Sequence, residues 1–221
     1  MTIAPPDHEF YDLNRGVQGL LALLMAALLL AIVLLWMRCL TTLWVLPTLL
    51  LWMGSHVFLL TPTYTLIGYF RYLSPLLLYT REGTTVHLHH GTAFDYVFAM
   101  PGVRPGFSWR RRVLAYHVAG LLELIRRLEA GELTGVECVD ATTYFLDNAI
   151  VQRLGFVEAP ASEVDRFNVY GNALDLFWMY ALARGRLCFP PLGRVKKFRI
   201  STADLLRAKP ILRTYEGRLS L

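Results

Sequence analysis

Hydrophobic positions divide the chain into a long apolar N-terminal block and a longer segment in which apolar and polar residues alternate. Arg38 is the only fully charged residue between positions 17 and 60. A helix needs about 20 apolar residues to cross a bilayer, and the block holds two such runs, at 17–37 and 40–60. The pattern therefore predicts a short leader, residues 1–16, and a transmembrane helical hairpin, residues 17–60.

Residues 61–82 differ from this block, because tyrosines and phenylalanines are mixed with leucines and with two arginines, Arg71 and Arg81. Aromatic and basic side chains of this kind favour the membrane–water interface. The segment is predicted to be an interfacial helix or a re-entrant piece that lies on the bilayer. A third crossing is the less favoured alternative, because Arg71 would lie near its middle.

From residue 83 to residue 221 the pattern predicts an α/β domain. Val113, Leu114, His117 and Leu121 recur at helical spacing within a long helix predicted over 109–130. Ser108 is the expected N-cap of this helix. The predicted strands are 84–89, 93–100, 135–140, 156–158 and 194–200, and the other predicted helices are 143–153, 172–183 and 202–209.

The charge balance favours a membrane partner for this domain. Residues 71–221 contain 20 Lys and Arg against 14 Asp and Glu, and each basic residue near an anionic bilayer contributes about 1 kcal/mol of attraction. Anionic lipid headgroups are therefore an expected partner. Nucleic acid is not expected, because the basic residues are not interleaved with aromatic residues in a recognisable binding module. The position of the Lys and Arg residues indicates an inner, or cytoplasmic, membrane protein with a cytoplasmic domain.

The order of elements over residues 84–160 resembles the second half of the GNAT acyltransferase superfamily. The order is strand, strand, long amphipathic helix, strand, and a helix that ends in Arg153-Leu154-Gly155-Phe156. An RLGF-like ending closes the corresponding helix in that family. The resemblance implies a GNAT-like mixed-sheet α/β domain over 83–221 and an acyl-CoA or another acyl thioester as donor. An unrelated α/β domain with a helix that ends in glycine is the alternative.

The family binds the pyrophosphate of acyl-CoA at the N terminus of the long helix, where backbone N–H groups and the helix dipole favour an anion. This chain lacks the family's glycine loop and carries three consecutive arginines there. Such a run opposes the dipole unless a phosphate binds to the guanidinium groups. Lipid headgroups and plain solvent are the alternative surroundings. The donor-binding residues that the resemblance implies are Ser108, Arg110, Arg111, Arg112 and Asn148.

An acyl transfer needs a base near the attacking amine and hydrogen-bond donors near the thioester carbonyl. The candidate catalytic residues are Glu137, Asp140 and Tyr144. Val151 occupies the position at which the family often has a tyrosine that acts as general acid, and Tyr144 occupies the position of a frequent asparagine. The resemblance therefore implies a fold more firmly than a reaction.

Histidines form the other group with chemical interest. His117 shares a helical face with Val113, which favours a packed core histidine over a base. His87 and His89 lie on one face of a strand, and His90 follows in the turn. No further ligand set has a standard metal spacing, so no metal is expected. If the domain has a cleft, the strand end at His89 and His90 is a place for substrate contact.

Two functional hypotheses follow from the sequence. The first is a membrane-anchored GNAT-like N-acyltransferase that uses an acyl-CoA or another acyl thioester at the cytoplasmic face of the membrane. The second is a non-catalytic accessory or structural subunit of a membrane protein complex, with a degenerate GNAT-like domain. The lost glycine loop and Val151 favour the second hypothesis. In that case the hairpin would pack against helices of other membrane protein subunits, aided by small residues such as Ala22 and Ala26.

Overall fold

The structure is a computed structural model that describes residues 9–143, 148–194 and 196–219. A short helix, α1 (Glu9–Asp12), precedes two long helices, α2 (Arg15–Arg38) and α3 (Val45–Leu66), which pack against each other. Both long helices have the length and the apolar composition needed to cross a membrane. The second begins later than the predicted residue 40, because residues 39–44 form the turn between the helices.

Most side chains of α2 point away from the rest of the protein. Within α2 the buried residues are Gln18, Ala22 and Leu29, whereas leucines such as Leu23, which is 67% exposed, cover the outer surface. A contiguous exposed apolar surface of this kind is rare on water-soluble monomers and is typical of a membrane or protein contact. The exposure pattern therefore agrees with the proposed insertion of the hairpin in a bilayer.

Six strands form one mixed sheet in the described part of the chain, in the order β1-β2-β3-β4-β6-β5. Neighbouring strands are antiparallel except β3 and β4, which pair in parallel. A parallel pair needs a long crossover connection, and the chain supplies it between β3 and β4. The strands are β1 (Arg71–Ser74), β2 (Leu77–Glu82), β3 (Thr85–His90), β4 (Cys138–Thr143), β5 (Val157–Ala159) and β6 (Lys196–Ser201).

The interfacial helix expected over 61–82 is wrong. Residues 61–66 continue α3, and most of the remainder forms β1 and β2. Leu76, Leu78 and Tyr79 are almost completely buried, so the aromatic and apolar character of the segment reflects a sheet covered on both faces. Fully buried strands have continuous apolar runs that periodicity alone does not distinguish from helices.

The strand expected over 93–100 is also wrong, because these residues form a short helix, α4 (Ala93–Ala99). Thr92 and Asp95 make a capping box, in which each side chain binds the backbone N–H of the other residue. This local pairing starts a helix in a sequence whose β-forming residues alone favour a strand.

The crossover between β3 and β4 contains α4 and the long helix α5 (Phe107–Glu129), which packs on the sheet. The expected N-cap, Ser108, is wrong. Gly106 holds the N-cap position with φ of +94°, a conformation that favours glycine, and Ser108 is an exposed residue of the first turn. Core residues contributed by α5 include Val118, Leu122, Leu124 and Ile125.

The C-terminal third supplies the remaining helices. Residue 143, the expected start of the helix over 143–153, ends β4, and residues 148–153 are helical as expected. Residues 144–147 lie outside the described part. The helix expected over 202–209 ends at Arg207, and Pro210 lies in the first turn of the next helix, where its missing N–H costs no hydrogen bond. The helices are α6 (Asn148–Arg153), α7 (Glu163–Gly171), α8 (Ala173–Arg184), α9 (Thr202–Arg207) and α10 (Lys209–Leu219).

A buried polar network joins the N-terminal helices to the α/β domain. Tyr72 donates a hydrogen bond to the Asp95 carboxylate, and its hydroxyl lies 2.9 Å from that of Tyr11. The backbone N–H of Thr92 donates to Asp95 over 2.6 Å, and Thr61 of α3 donates to the Thr92 hydroxyl over 2.8 Å. These contacts fix the position of α3 against the sheet and α4.

Candidate functional site

A cavity of about 490 Å³ lies between the sheet and helices α5, α8 and α10. This volume is in the ordinary range for small-molecule sites. The lining is mostly apolar, with a few polar and charged groups. Residues that line the cavity are Leu77, Leu88, His89, His90, Tyr96, Trp109, Arg110, Val113, Leu114, His117, Val118, Leu121, Ala141, Thr142, Val151, Leu154, Phe156, Met179, Tyr180, Ala183, Arg184, Phe198, Leu212 and Tyr215.

The parallel strands stop pairing at this cavity. The register of β3 and β4 runs from Thr85–Cys138 to Leu88–Ala141, although β3 continues to His90 and β4 to Thr143. Ligands of α/β sheets bind where the carboxyl ends of neighbouring parallel strands diverge. The ends of β3 and β4 therefore form one wall at which polar backbone groups can meet a ligand.

Helix α5 forms the opposite wall with one of its faces. Arg110, Val113, Leu114, His117 and Leu121 all line the cavity, and their spacing of three, four and seven residues places them on one helical stripe. Along the helix the stripe is cationic at Arg110, apolar at Val113 and Leu114, polar at His117 and apolar again at Leu121. With a rise of 1.5 Å per residue, Arg110 and Leu121 are separated by about 16 Å along the axis.

The start of α5 and the end of α8 meet at two glycines. The backbone N–H of Gly106 donates to the carbonyl of Leu182 over 2.7 Å, and a Cβ atom on Gly185 would lie only 3.2 Å from the Cα of Gly106. Glycine at both positions permits this close approach of α5 and α8. The approach brings Arg110 and Arg184 to the same cavity. The sequence prediction missed Arg184, because only the tertiary contact places α8 beside α5.

Arg184 is held at the cavity by the preceding turn of α8. Its guanidinium group donates to the Tyr180 hydroxyl over 2.9 Å and lies 5.2 Å from the centre of the Tyr180 ring. Arg110 is an exposed residue of the first turn of α5. Guanidinium groups in the lining of an apolar cavity have the chemistry that suits a carboxylate or a phosphate.

His117 presents a basic nitrogen in the middle of the α5 stripe. Its Nδ1 atom lies 2.8 Å from the Val113 carbonyl, so Nδ1 carries the proton and Nε2 carries the lone pair. Nε2 is buried and has no hydrogen-bond partner among the described residues. Burial lowers the pKa of His117 below its ordinary value, and the ring is therefore neutral at pH 7.

His89 and His90 lie at the end of β3, where the sequence indicated a substrate contact. The His90 ring centre is 5.7 Å from that of His117. Burial lowers the pKa of His90 to about 3, and the electrostatic effect of the neighbouring His117 and His89 acts in the same direction. Burial also lowers the pKa of His89 to about 4, and its Nε2 atom lies 2.9 Å from the Thr80 hydroxyl. The neutral imidazoles of His90 and His117 thus face each other at the cavity, whereas the His89 ring contacts Thr80 and Phe70.

The structure brings one residue of the predicted arginine run to the cavity. Arg110 belongs to the lining, whereas Arg111 and Arg112 project from other faces of α5. The guanidinium carbon of Arg112 lies 6.0 Å from the centre of the Tyr116 ring. The three arginines therefore do not act as one cluster, because consecutive helical residues point about 100° apart.

The two predicted carboxylates do not reach the cavity. Glu137 is exposed and precedes β4, at the strand end opposite the cavity. Asp140 is buried and accepts two hydrogen bonds from Arg199, at 2.6 and 2.8 Å. Burial raises the pKa of Asp140, but Arg199 and Lys197 outweigh this effect and hold the pKa below its ordinary value. Asp140 is thus occupied as the anion of a salt-bridge network.

The other two predicted site residues lie at or before the start of α6. Tyr144 lies outside the described residues, and Asn148 is the first residue of α6. Val151, on the same helix, lines the cavity, and its side chain has no proton to donate. Within the described ranges, no group of three His, Cys, Asp or Glu residues is arranged to hold a metal ion.

Comparisons with known proteins do not assign a family to this chain. No family model matches it, and neither a curated protein nor a solved structure matches it. The ligand preferences of the cavity therefore follow from its lining, its volume and its charges.

Proposed function

We propose that this protein is a membrane-anchored GNAT-like N-acyltransferase that takes its acyl group from an acyl-CoA or another acyl thioester. The supporting observation is the cavity at the divergent ends of β3 and β4, with the start of α5 and two arginines at its edge. Of the order of elements on which the resemblance rests, the structure has β3, α5, β4 and α6, but the expected second strand over 93–100 is helix α4.

In this proposal the phosphate groups of the donor bind beside Arg110 and Arg184. Both side chains line the cavity, and the first-turn N–H groups of α5 add a favourable dipole for an anion. The donor carbonyl then lies deeper, near the ends of β3 and β4. This arrangement retains Arg110 from the sequence hypothesis and replaces Arg111 and Arg112 by Arg184.

His117 replaces Glu137 and Asp140 as the proposed base. Its buried Nε2 atom carries a lone pair and has no protein partner in the described part of the chain. When the amine attacks the thioester, the C–N bond forms, the C–S bond breaks, and the thiolate of the donor is the leaving group. His117 takes the amine proton and passes it to this thiolate, which leaves as the free thiol. A neutral imidazole is the required starting state of such a base.

Binding of the donor tests this function directly. The full chain in phosphatidylcholine nanodiscs would be titrated calorimetrically with acetyl-CoA, a long-chain acyl-CoA and free CoA. We expect saturable binding of at least one thioester, weakened at least tenfold by Arg110→Gln. Arg112→Gln is the matched control, because this residue lies on the same helix but outside the cavity, and it should bind normally. Absence of binding by all three compounds would refute the proposal.

The accessory-subunit hypothesis remains the second candidate, because Val151 lines the cavity where the family often has a proton donor. This hypothesis predicts ligand binding without turnover. Release of free thiol from a bound thioester, measured in the presence of a range of amines, separates the two functions. Thiol release that depends on amine and is lost in His117→Phe supports the enzyme, whereas binding without release supports the accessory subunit.

A further inference from the structure

The cavity extends well past the histidines, into a region with no role in binding a phosphate or a short acyl group. Leu121 lies one helical turn beyond His117 on α5. Phe156 and Phe198 from the sheet side and Leu212 from α10 complete this part of the wall. An acetyl group with its carbonyl near His117 would leave this apolar volume without a ligand.

The order of groups along α5 defines the type of molecule that fits. Arg110 at the start is cationic, Val113 and Leu114 are apolar, His117 is polar and neutral, and Leu121 is apolar. All of these residues line the same cavity. A ligand that satisfies this order has an anionic head, a polar linkage and an apolar tail. The ligand must also carry a single acyl chain, because the cavity volume of about 490 Å³ holds one medium-sized ligand.

We propose that the inner part of the cavity binds one medium or long acyl chain, whose phosphate-bearing head lies at Arg110 and Arg184. The assignment of the linkage as a thioester rests on the proposed function. The assignment of the tail rests on the apolar wall around Leu121 and Leu212, and it applies equally to a CoA thioester and to a lysophospholipid.

The hydrophobic effect gives this proposal a quantitative signature. Burial of one methylene group contributes about 0.8 kcal/mol, which is about a fourfold change in affinity. Affinity should therefore rise by about fourfold per added methylene until the inner cavity is filled. Longer chains should then bind with constant affinity, because further methylenes stay in water or lipid.

A chain-length series measures this signature on the unmodified protein. The full chain in phosphatidylcholine nanodiscs, which keep detergent tails out of the cavity, would be titrated with acetyl-, butanoyl-, octanoyl- and palmitoyl-CoA. We expect octanoyl-CoA to bind at least a hundredfold more tightly than acetyl-CoA, which at about fourfold per methylene requires burial of roughly three to four of its six additional methylenes. Equal affinities across the series would overturn the proposal.

A cavity-filling variant locates the tail. Leu121→Trp adds volume at the apolar wall, and Ala119→Trp is the matched control because Ala119 is an exposed residue of the same helix. We expect Leu121→Trp to weaken octanoyl-CoA binding at least tenfold more than it weakens acetyl-CoA binding, while Ala119→Trp changes neither. Unchanged octanoyl-CoA binding by a folded Leu121→Trp protein would contradict the proposal. If this variant does not fold, the chain-length series decides the question alone.

A lysophosphatidic acid with the same acyl chain separates this inference from the proposed function. Tight binding of the lysolipid with no binding of any CoA thioester would retain the tail site and refute the thioester donor. Binding of CoA thioesters without dependence on chain length would retain the donor and refute the tail site. Failure of both compounds to bind would refute both.

Discussion

The buried carboxyl group of Asp95 makes the stability of this protein depend on pH in a direction opposite to that of most aspartates. Burial raises the pKa of Asp95 to about 6 from its ordinary value of 3.8, although hydrogen bonds from Tyr72 and Thr92 act in the opposite direction. The unfolded chain therefore releases this proton at lower pH than the folded chain. Stability from this group is fully present below pH 4 and is lost as the pH rises through 6.

The size of the effect follows from the separation of the two pKa values. A difference of about two pKa units corresponds to about 3 kcal/mol of unfolding free energy between pH 4 and pH 7. Other groups oppose this trend, because the pKa of Asp140 is lowered in the folded state. The contribution of Asp95 must therefore be measured as a difference between two proteins across the same pH range.

Asp95→Asn provides that difference, because asparagine has a similar shape and does not titrate. Unfolding of both full-length proteins in nanodiscs by guanidinium would be followed through the fluorescence of tryptophans such as the buried Trp109. Between pH 4 and pH 7, the unfolding free energy of the wild-type protein should fall by about 3 kcal/mol more than that of the variant. A constant difference between the two proteins over this range would refute a raised pKa at Asp95.

Other consequences of the structure are open to measurement in the same way. Phe156 is 6% exposed, so Phe156→Ala should lower the unfolding free energy by about 3–5 kcal/mol; the same change at the exposed neighbour Val157 should cost no more than about 0.5 kcal/mol. Gly185→Ala should lower the unfolding free energy by about 1–2 kcal/mol because of its φ of +68°, and by a further amount because the new Cβ would contact Gly106. Gly102→Ala is the control for the first effect, because Gly102 has φ of +71° and no atom near the position of a Cβ. Equal losses at the two glycines would contradict the close approach of α5 and α8.

The elements that the sequence predicted well are those with a long or uninterrupted pattern. The apolar runs that became α2 and α3, and the stripe around His117 that became α5, extend over many turns, so neighbouring residues reinforce one another. Short segments were less predictable. Residues 93–99 contain β-forming residues, but the capping box between Thr92 and Asp95 starts a helix.

The aromatic segment at 61–82 was misassigned for a related reason. A strand that is buried on both faces and a segment that lies in a membrane interface both select apolar and aromatic residues. Tyr79 and Leu78 became core residues of the sheet, and only their pairing with β1 and β3 distinguishes this outcome. Composition without knowledge of strand partners does not separate the two environments.

The site was partly predictable, because some of its residues share one element and others do not. Arg110 and His117 lie seven residues apart on one helix, so their common face follows from helical geometry. Arg184 reaches the cavity only through the contact between Gly106 and Gly185, which has no signature in the local sequence. Asp140 was expected to be a base, but its partner Arg199 comes from a strand that follows much later in the chain.

The central claim is that an acyl donor lies along α5 with its tail in the inner cavity, and photo-crosslinking tests it most directly. A CoA thioester with a diazirine at the end of an octanoyl chain would be irradiated with the full protein in nanodiscs, and the labelled peptides would be identified by mass spectrometry. The account predicts labels on α5 near Leu121, on β6 near Phe198 and on α10 near Leu212, all removed by excess octanoyl-CoA. Labels confined to α2 and α3, or labels that excess octanoyl-CoA does not remove, would contradict it.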